Sequence, residues 1–405
     1  MRIHKTSGSF LLLSLCIALA AALPAPQKKS KAPVKSKSAT VVSPKKKSAT
    51  SAASPKAAAA KPKSAAKAAP KKRRTRPVYS PWSEPTFADS TVDDDITGED
   101  LTVRRAAVQA LGPYNGAVVA VDPLTGRVLT LVNQKLALQS GFQPCSTVKL
   151  PVAMAGLIEG IIERDTLLRV QGSTRLNLTE ALAHSNNSFF AMLGTKLGFD
   201  RFSYYARLLG LGEKAGLNIE GEHAGLFPKE LPRGTPMGML TSFGEGIALT
   251  PLELAALLVS FSNGGTLYYL QYPRTLEEVR DFMPRVKRHL DIGRWLPDIK
   301  PGMMGAVEYG TARRANYDPS EPVLGKTGTC TENRVHLGWF GSFNAVGRNK
   351  LVVVVLLTGG RGVSGPTAAE IGGNMYKNLS REDFFAGGWK FSPLALVSTQ
   401  SCCGE

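Results

Sequence analysis

Residues 141–160 read GFQPCSTVKLPVAMAGLIEG, and within them Ser146 and Lys149 have the types and spacing of a nucleophile and its base. On a helix, side chains three apart share a face. A serine hydroxyl is a weak nucleophile until a neighbour takes its proton. A lysine can do so only as the neutral amine, which requires burial or a second positive charge to lower its pKa. The run Leu150, Val152, Met154, Leu157 and Ile158 supplies an apolar setting. Amide N–H groups at a helix start favour charge developing on an acyl oxygen. The same residues also suit the polar first turn of an ordinary buried helix. Ser-x-x-Lys recurs at Ser43–Lys46 and Ser64–Lys67, so the triplet alone decides nothing.

Two further clusters follow. In LAHSNNSFF, Ser185, Asn186 and Asn187 interrupt two helical stretches, which predicts a turn that presents side chains, although Ser-x-Asn recurs at Ser342–Asn344. In VLGKTGTCTEN, Lys326-Thr327-Gly328-Thr329 contains the chain's only Lys-Thr-Gly. It reads as a short strand with a cation at its start, where Gly328 would let a substrate backbone lie close.

The elements that must carry these residues follow from periodicity. NGAVVAVDPLTGRVLTLVN is two apolar runs joined by the turn Asp122-Pro-Leu-Thr-Gly126, a hairpin. HLGWFGSF and KLVVVVLLT flank NAVGRN as a second hairpin, and a closing helix covers about 367–379. Helices are predicted over 148–163, 178–184, 188–197, 201–209 and 250–262, with Asn177 and Glu180 spaced as a capping box. Strands at both ends with helices between imply an α+β fold: one antiparallel sheet assembled from the two ends of the domain, with a large helical insert. A cleft between sheet and insert is the natural ligand site.

The formal charge of +18 is not spread over this domain. Residues 27–83 carry 17 Lys and Arg and no acid, and Arg2 and Lys5 add two more, which leaves the rest of the chain at −1. Residues 27–76 are almost wholly Lys, Ala, Ser, Pro and Thr and cannot bury enough surface to fold. They read as an extended linker. Its partner is expected to be an anionic membrane or wall polymer rather than nucleic acid, because residues 1–26 have the basic head, apolar core and small-residue sites of a secretory signal. A retained membrane anchor stays open beside cleavage; either way the protein is expected outside the cytoplasm. The expected order is a signal or anchor over 1–26, the basic linker over 27–83, an acidic connector over 84–100 that offsets the tail, the catalytic domain over 101–385 and a tail over 386–405. Five His without ligand spacing imply no metal, and no phosphate-binding glycine loop or other cofactor motif is present.

In the order Ser-x-x-Lys, Ser-x-Asn, Lys-Thr-Gly, on helix, turn and strand, the three clusters become specific. The chain resembles the transpeptidase domain of penicillin-binding proteins. GAVVAVDPLTGRVLTLV, TEALAHSNNSFFAMLGTKLG, GEGIALTPLELAALLVSFSNGG, GAVEYGTARRA and GKTGT are similar to family landmarks in family order, over about residues 114–380. The resemblance implies a β-lactamase/transpeptidase-like fold, D-alanyl-D-alanine stem peptides of peptidoglycan as substrate and β-lactams as inhibitors. It implies Ser146 as nucleophile, Lys149 as base, Ser185 as proton relay, Asn187 as holder of the substrate amide, and Lys326, Thr327 and Thr329 as carboxylate site. The amides of Ser146 and Thr329 would form the oxyanion hole. Two positions depart from the family: Cys145 stands where glycine is usual, and Cys330 where a small residue is usual. They flank one cleft in the family fold, so a Cys145–Cys330 disulfide is a candidate beside two free buried thiols. A β-lactam sensor, a slow β-lactamase or D,D-carboxypeptidase on the same fold, and a non-enzymatic protein working through its basic tail are the alternatives.

Overall fold

The period-2 and period-3.6 patterns segregate in space as they do along the chain. The computed structural model describes residues 82–139, 141–316 and 318–387. The expected signal, most of the basic linker and Cys402 and Cys403 lie outside these residues. Among the described residues, no helix is long and apolar enough to cross a membrane.

Helix α1 (Leu101–Leu111) leads to strands β1 (Gly116–Asp122) and β2 (Arg127–Val132), the expected first hairpin. A 3-10 turn over Cys145–Val148 runs directly into α2 (Lys149–Ile158). Then come α3 (Leu178–Ala183), α4 (Asn187–Leu197), α5 (Phe199–Leu208), α6 (Met237–Phe243), α7 (Pro251–Asn263) and α8 (Leu296–Glu308). Strands β3 (Val323–Glu332), β4 (Val335–Asn344) and β5 (Val352–Gly359) and helix α9 (Gly365–Ser380) complete the body. The sheet order is β2-β1-β5-β4-β3, antiparallel at every pairing. The N-terminal hairpin thus pairs with the C-terminal meander, and β3 forms an edge.

Strand alternation explains why both faces are covered. Val118, Ala120, Val353 and Val355 pack with α1 and α9, whereas Ala117, Val119, Val354 and Leu356 pack with the helical insert. Helix α7, buried from Pro251 to Phe261, is the insert's central rod. Its capping box is complete: Glu253 N–H donates to Thr250 Oγ1, and Thr250 N–H donates to the Glu253 carboxylate. The box expected at α3 is only half made. Asn177 Oδ1 accepts from Glu180 N–H at 3.0 Å, but the Glu180 carboxylate turns to the Tyr309 hydroxyl at 2.9 Å instead.

Several boundaries differ from expectation. Helix α2 stops at Ile158 rather than 163 because Gly160 takes a left-handed φ of 63°. Helices α1, α6 and α8 were not expected; α8 holds prolines at 297 and 301, which hide its period. The acidic stretch 84–100 is part of the folded body. Asp94 accepts from Arg104 Nη2 at 2.7 Å and from the amides of Asn133 and Gln134. Glu99 is buried and accepts from Thr130, Leu131 N–H and the Tyr272 hydroxyl. Asp100 caps α1.

Candidate active site

The three sequence clusters come together where the insert meets β3. Ser146 lies in the 3-10 turn before α2 and Lys149 is the first residue of α2, so one tight turn sets their separation: Lys149 Nζ is 2.7 Å from Ser146 Oγ. Ser185 and Asn186 bridge α3 and α4, Asn186 caps α4, and Asn187 opens it. Lys149 Nζ also lies 2.9 Å from Ser185 O, 3.1 Å from Ser185 Oγ and 2.6 Å from Asn187 Oδ1. Across the cleft, Lys326 Nζ donates to Ser185 Oγ at 2.8 Å and to Thr327 O at 2.9 Å. The Ser185 hydroxyl therefore sits between two amines.

The contacts of Lys149 fit a neutral amine. Ser185 O and Asn187 Oδ1 can only accept, and they take the two N–H bonds of an uncharged –NH2. Its lone pair is then free to accept the Ser146 proton. The electrostatics point the same way. Lys149 is fully buried, with the Phe190 and Phe243 rings about 6 Å from Nζ. Burial first, and then the positive charge of Lys326, lower its pKa from 10.5 to about 6. Lys326 is also fully buried, and loss of hydration lowers its pKa to about 7.

On β3, Thr327 donates to the Thr311 hydroxyl at 2.7 Å, and Thr329 Oγ1 accepts from Gly365 N–H at 2.7 Å. Thr329 is exposed on the free edge. Gly328 also makes a close contact within the protein. A Cβ there would lie 2.9 Å from Pro144 O and 3.3 Å from Cys145 Cβ. The space it leaves is filled by the nucleophile turn, which packs flush on β3. Cys145 and Cys330 are joined by a disulfide beside that contact, with Cα atoms 5.6 Å apart.

Thr311 was given no role from sequence, although it lies in the GAVEYGTARRA landmark. Its N–H donates to Ala183 O at 3.1 Å while its hydroxyl holds Thr327, so it ties the end of α3 to β3. Gly310 allows this approach: a Cβ there would sit 2.2 Å from Ala183 O. His336 bonds Thr331 and packs on Trp82. Among the described residues, no group of three or more His, Cys, Asp and Glu is arranged to hold a metal.

The arrangement brings a serine hydroxyl to a buried amine, with a second hydroxyl shared between that amine and a second buried amine carried by an edge strand, groups that could perform acyl transfer. Comparison with known proteins agrees. A family model described as penicillin binding protein transpeptidase domain matches residues 116–377. Stage V sporulation protein D of Bacillus subtilis is 29% identical over 313 residues, covering 66% of this chain and 48% of that protein. Peptidoglycan D,D-transpeptidase MrdA of Acinetobacter baumannii is 23% identical over 355 residues, covering 67% and 52%. The chain thus spans about half the length of these curated relatives. The fold is similar to the crystal structure of Pseudomonas aeruginosa PBP2 in complex with WCK 5153, with a TM-score of 0.59, 24% identity, and 69% and 74% of the two chains covered.

Proposed function

The chain belongs to the penicillin-binding protein transpeptidase family, and on that footing we propose that it is a serine D,D-transpeptidase of peptidoglycan synthesis. The observation that carries the proposal is the buried Lys149 amine, within 2.7 Å of Ser146 Oγ and within reach of Ser185 and Asn187. The donor stem peptide lies along the free edge of β3, its terminal carboxylate held by the Lys326 ammonium and the hydroxyls of Thr327 and Thr329. Asn187 orients its amide.

Lys149 takes the Ser146 proton as Oγ attacks the penultimate carbonyl, and the oxyanion forms against the amides of Ser146 and Thr329. Collapse of the tetrahedral intermediate breaks the peptide bond, and the leaving amine takes its proton through Ser185, which faces both lysines. The acyl group remains on Ser146. An acceptor amine then attacks it, gives up its proton by the reverse route, and leaves as the cross-linked product. The Cys145–Cys330 bond fixes the nucleophile turn against the donor strand.

The test is covalent labelling. A fluorescent penicillin should label the wild-type chain and not Ser146→Ala, and intact mass should rise by one penicillin. A label released within minutes points to a slow β-lactamase, and no label at all to a binding protein. For the segment before the domain, we propose an extracytoplasmic tether in which residues 27–76 contact anionic membrane or wall polymers. Deleting them should abolish binding to anionic wall polymer and to anionic vesicles by the chain without residues 1–26, and leave labelling intact.

A further inference from the structure

Resting on the reading that the Thr329 amide faces the acyl oxygen, we propose that Trp82 and Ser83 are positioning residues for acylation of Ser146. They hold the tip of the β3–β4 hairpin, and through it the end of β3 that carries Thr329. They close the segment expected as linker, yet their contacts are with the sheet.

The hairpin tip needs such a hold. β3 is the edge of the sheet, bonded to β4 on one side and open on the other. It turns into β4 over Asn333 and Arg334 alone, between the paired residues Glu332 and Val335. Both turn residues are left-handed, at φ 48° and 62°. Hairpin turns of this kind favour Asn-Gly, because the second residue also needs a positive φ. An arginine there costs about 1–2 kcal/mol, and a strand end closed by such a turn frays readily.

Ser83 answers the turn directly. Its N–H donates to Arg334 O at 3.2 Å and its hydroxyl to Asn333 O at 3.1 Å, so both turn carbonyls are held. Trp82 lies against the His336 ring, with centroids 4.0 Å apart, and against Gly360, where a Cβ would be 2.3 Å from the indole. His336 stands opposite Thr331 in the hairpin register, and its Nδ1 is 2.7 Å from Thr331 Oγ1. From Thr331 to Thr329 is about 7 Å along the strand.

The segment is pinned behind this contact as well. Thr86 O accepts from Asn115 N–H at 3.0 Å, Thr86 Oγ1 from Gly360 N–H at 3.1 Å, and Pro85 O from Asn115 Nδ2 at 3.1 Å. Residues 82–86 thus form a strap from the entrance of β1 to the hairpin tip. Ser83, Glu84 and Pro85 are exposed, so the strap is not core packing. The tip it holds also reaches the nucleophile turn, since Glu332 Oε2 accepts from Gln143 N–H at 3.2 Å. Lys326 is fully buried and lies farther from the tip. Loosening the tip therefore displaces the Thr329 amide before it disturbs the carboxylate grip, which slows acylation without weakening binding.

The experiment is stopped-flow acylation of the full chain by a fluorescent penicillin, over concentrations that separate the limiting rate from the half-saturating concentration. With Trp82→Ala and Ser83→Ala combined, the limiting rate should fall about tenfold, a part of the ~100-fold that an ångström of misplacement costs, and half-saturation should move less than about twofold. Trp82→Phe keeps a ring on His336 and should retain the wild-type rate. Arg334→Gly lets the turn hold itself, and in that background the same pair of substitutions should cost less than about threefold. Where the double variant does not fold, Ser83→Ala carries the same comparison: it should slow the limiting rate about threefold alone and leave it unchanged with Arg334→Gly. An unchanged limiting rate, an equal loss of rate and affinity, or a loss undiminished by Arg334→Gly overturns the positioning role and leaves the acyl-transfer reading standing. Failure of penicillin to label the wild-type chain is a separate result: it overturns the acyl-transfer reading and the positioning role with it.

Discussion

Acylation of Ser146 should follow a bell-shaped pH profile whose two limbs belong to the two lysines. Productive enzyme needs Lys149 neutral, to take a proton, and Lys326 charged, to grip a carboxylate. With Lys149 at about 6 and Lys326 at about 7, the two requirements overlap only in a narrow window. A lysine at about 6 is about nine-tenths neutral at pH 7, against about 0.03% for one at 10.5, roughly a three-thousandfold gain in available base. The acidic limb is protonation of Lys149. The alkaline limb is loss of charge on Lys326. Treating the coupled pair as two macroscopic steps, the second-order acylation rate should peak near pH ~6.5 and fall about twentyfold two units to either side. The assay is stopped-flow acylation by a fluorescent penicillin at low drug concentration across pH 4.5–9.

Two perturbations check the assignments. Lys326→Arg keeps the cation at all accessible pH values, so the alkaline limb should disappear even if the plateau is lower. Lys326→Ala removes the positive neighbour of Lys149, so the acidic limb should move to higher pH. At saturating drug, the bound carboxylate favours charged Lys326, which should push the alkaline limb upward as well. A flat profile over this range, or an alkaline limb unchanged in Lys326→Arg, would refute the reasoning.

Other contacts make their own predictions. Thr311→Val removes the partner of the Thr327 hydroxyl and should lower acylation by carboxylate-bearing drugs about three- to tenfold, the worth of one neutral hydrogen bond; Thr311→Ser should restore it. Gly328→Ala drives a methyl to 2.9 Å from the Pro144 carbonyl and should cut acylation at least ~10-fold by displacing the nucleophile turn, because an ångström of misplacement costs about 100-fold. Ordinary rates in that variant would show that the turn can yield. Reducing the disulfide releases a loop with a sequence separation of 185, which in the chain-entropy account destabilises the fold by up to about 5 kcal/mol. Urea unfolding with and without reductant measures this, and a difference under about 1 kcal/mol would mean the bond ties two already fixed surfaces. With Cys330 replaced by Ala, Cys145→Gly should be more stable than Cys145→Ala by about 1 kcal/mol, since residue 145 has φ 51°.

The elements that sequence displays best are those whose burial pattern is local. The first hairpin, the strands flanking NAVGRN and helix α7 bury residues at a regular period, and each stands within a residue or two of expectation. Helix α8 has no legible period because Pro297 and Pro301 interrupt its sequence, while Gly302 serves a neighbour: a Cβ there would lie 2.6 Å from Leu182 Cβ. That reason is tertiary and leaves no local trace. The same holds at the site. The residue types of Ser146, Lys149, Ser185, Asn187 and Lys326 announce chemistry, but their convergence also depends on Gly310 and Thr311, whose types announce nothing. The acidic run 84–100 gives no sign in its composition of the partners that draw Glu99 and Asp94 inside, which are specific amide, hydroxyl and guanidinium groups.

On the proposed mechanism, reactivity at Ser146 is a property of the assembled cleft rather than of its helix. In water, Lys149 would be charged and useless as a base. It becomes useful because α4 and α6 place Phe190 and Phe243 around it, and because β3 brings a second buried amine toward the same hydroxyl. The second amine has opposite requirements: it lowers the pKa of Lys149 only while it carries charge, and its own burial works against that charge. A donor carboxylate bound there would stabilise charged Lys326, and its own negative charge would offset that of the ammonium at Lys149, so the neutrality of Lys149 rests chiefly on burial. Ser185 is where the coupling acts: it is held at φ 54°, a backbone conformation that costs a non-glycine residue about 1–2 kcal/mol. The turn keeps it because the Ser185 carbonyl and hydroxyl bind Lys149 while the hydroxyl also takes a bond from Lys326.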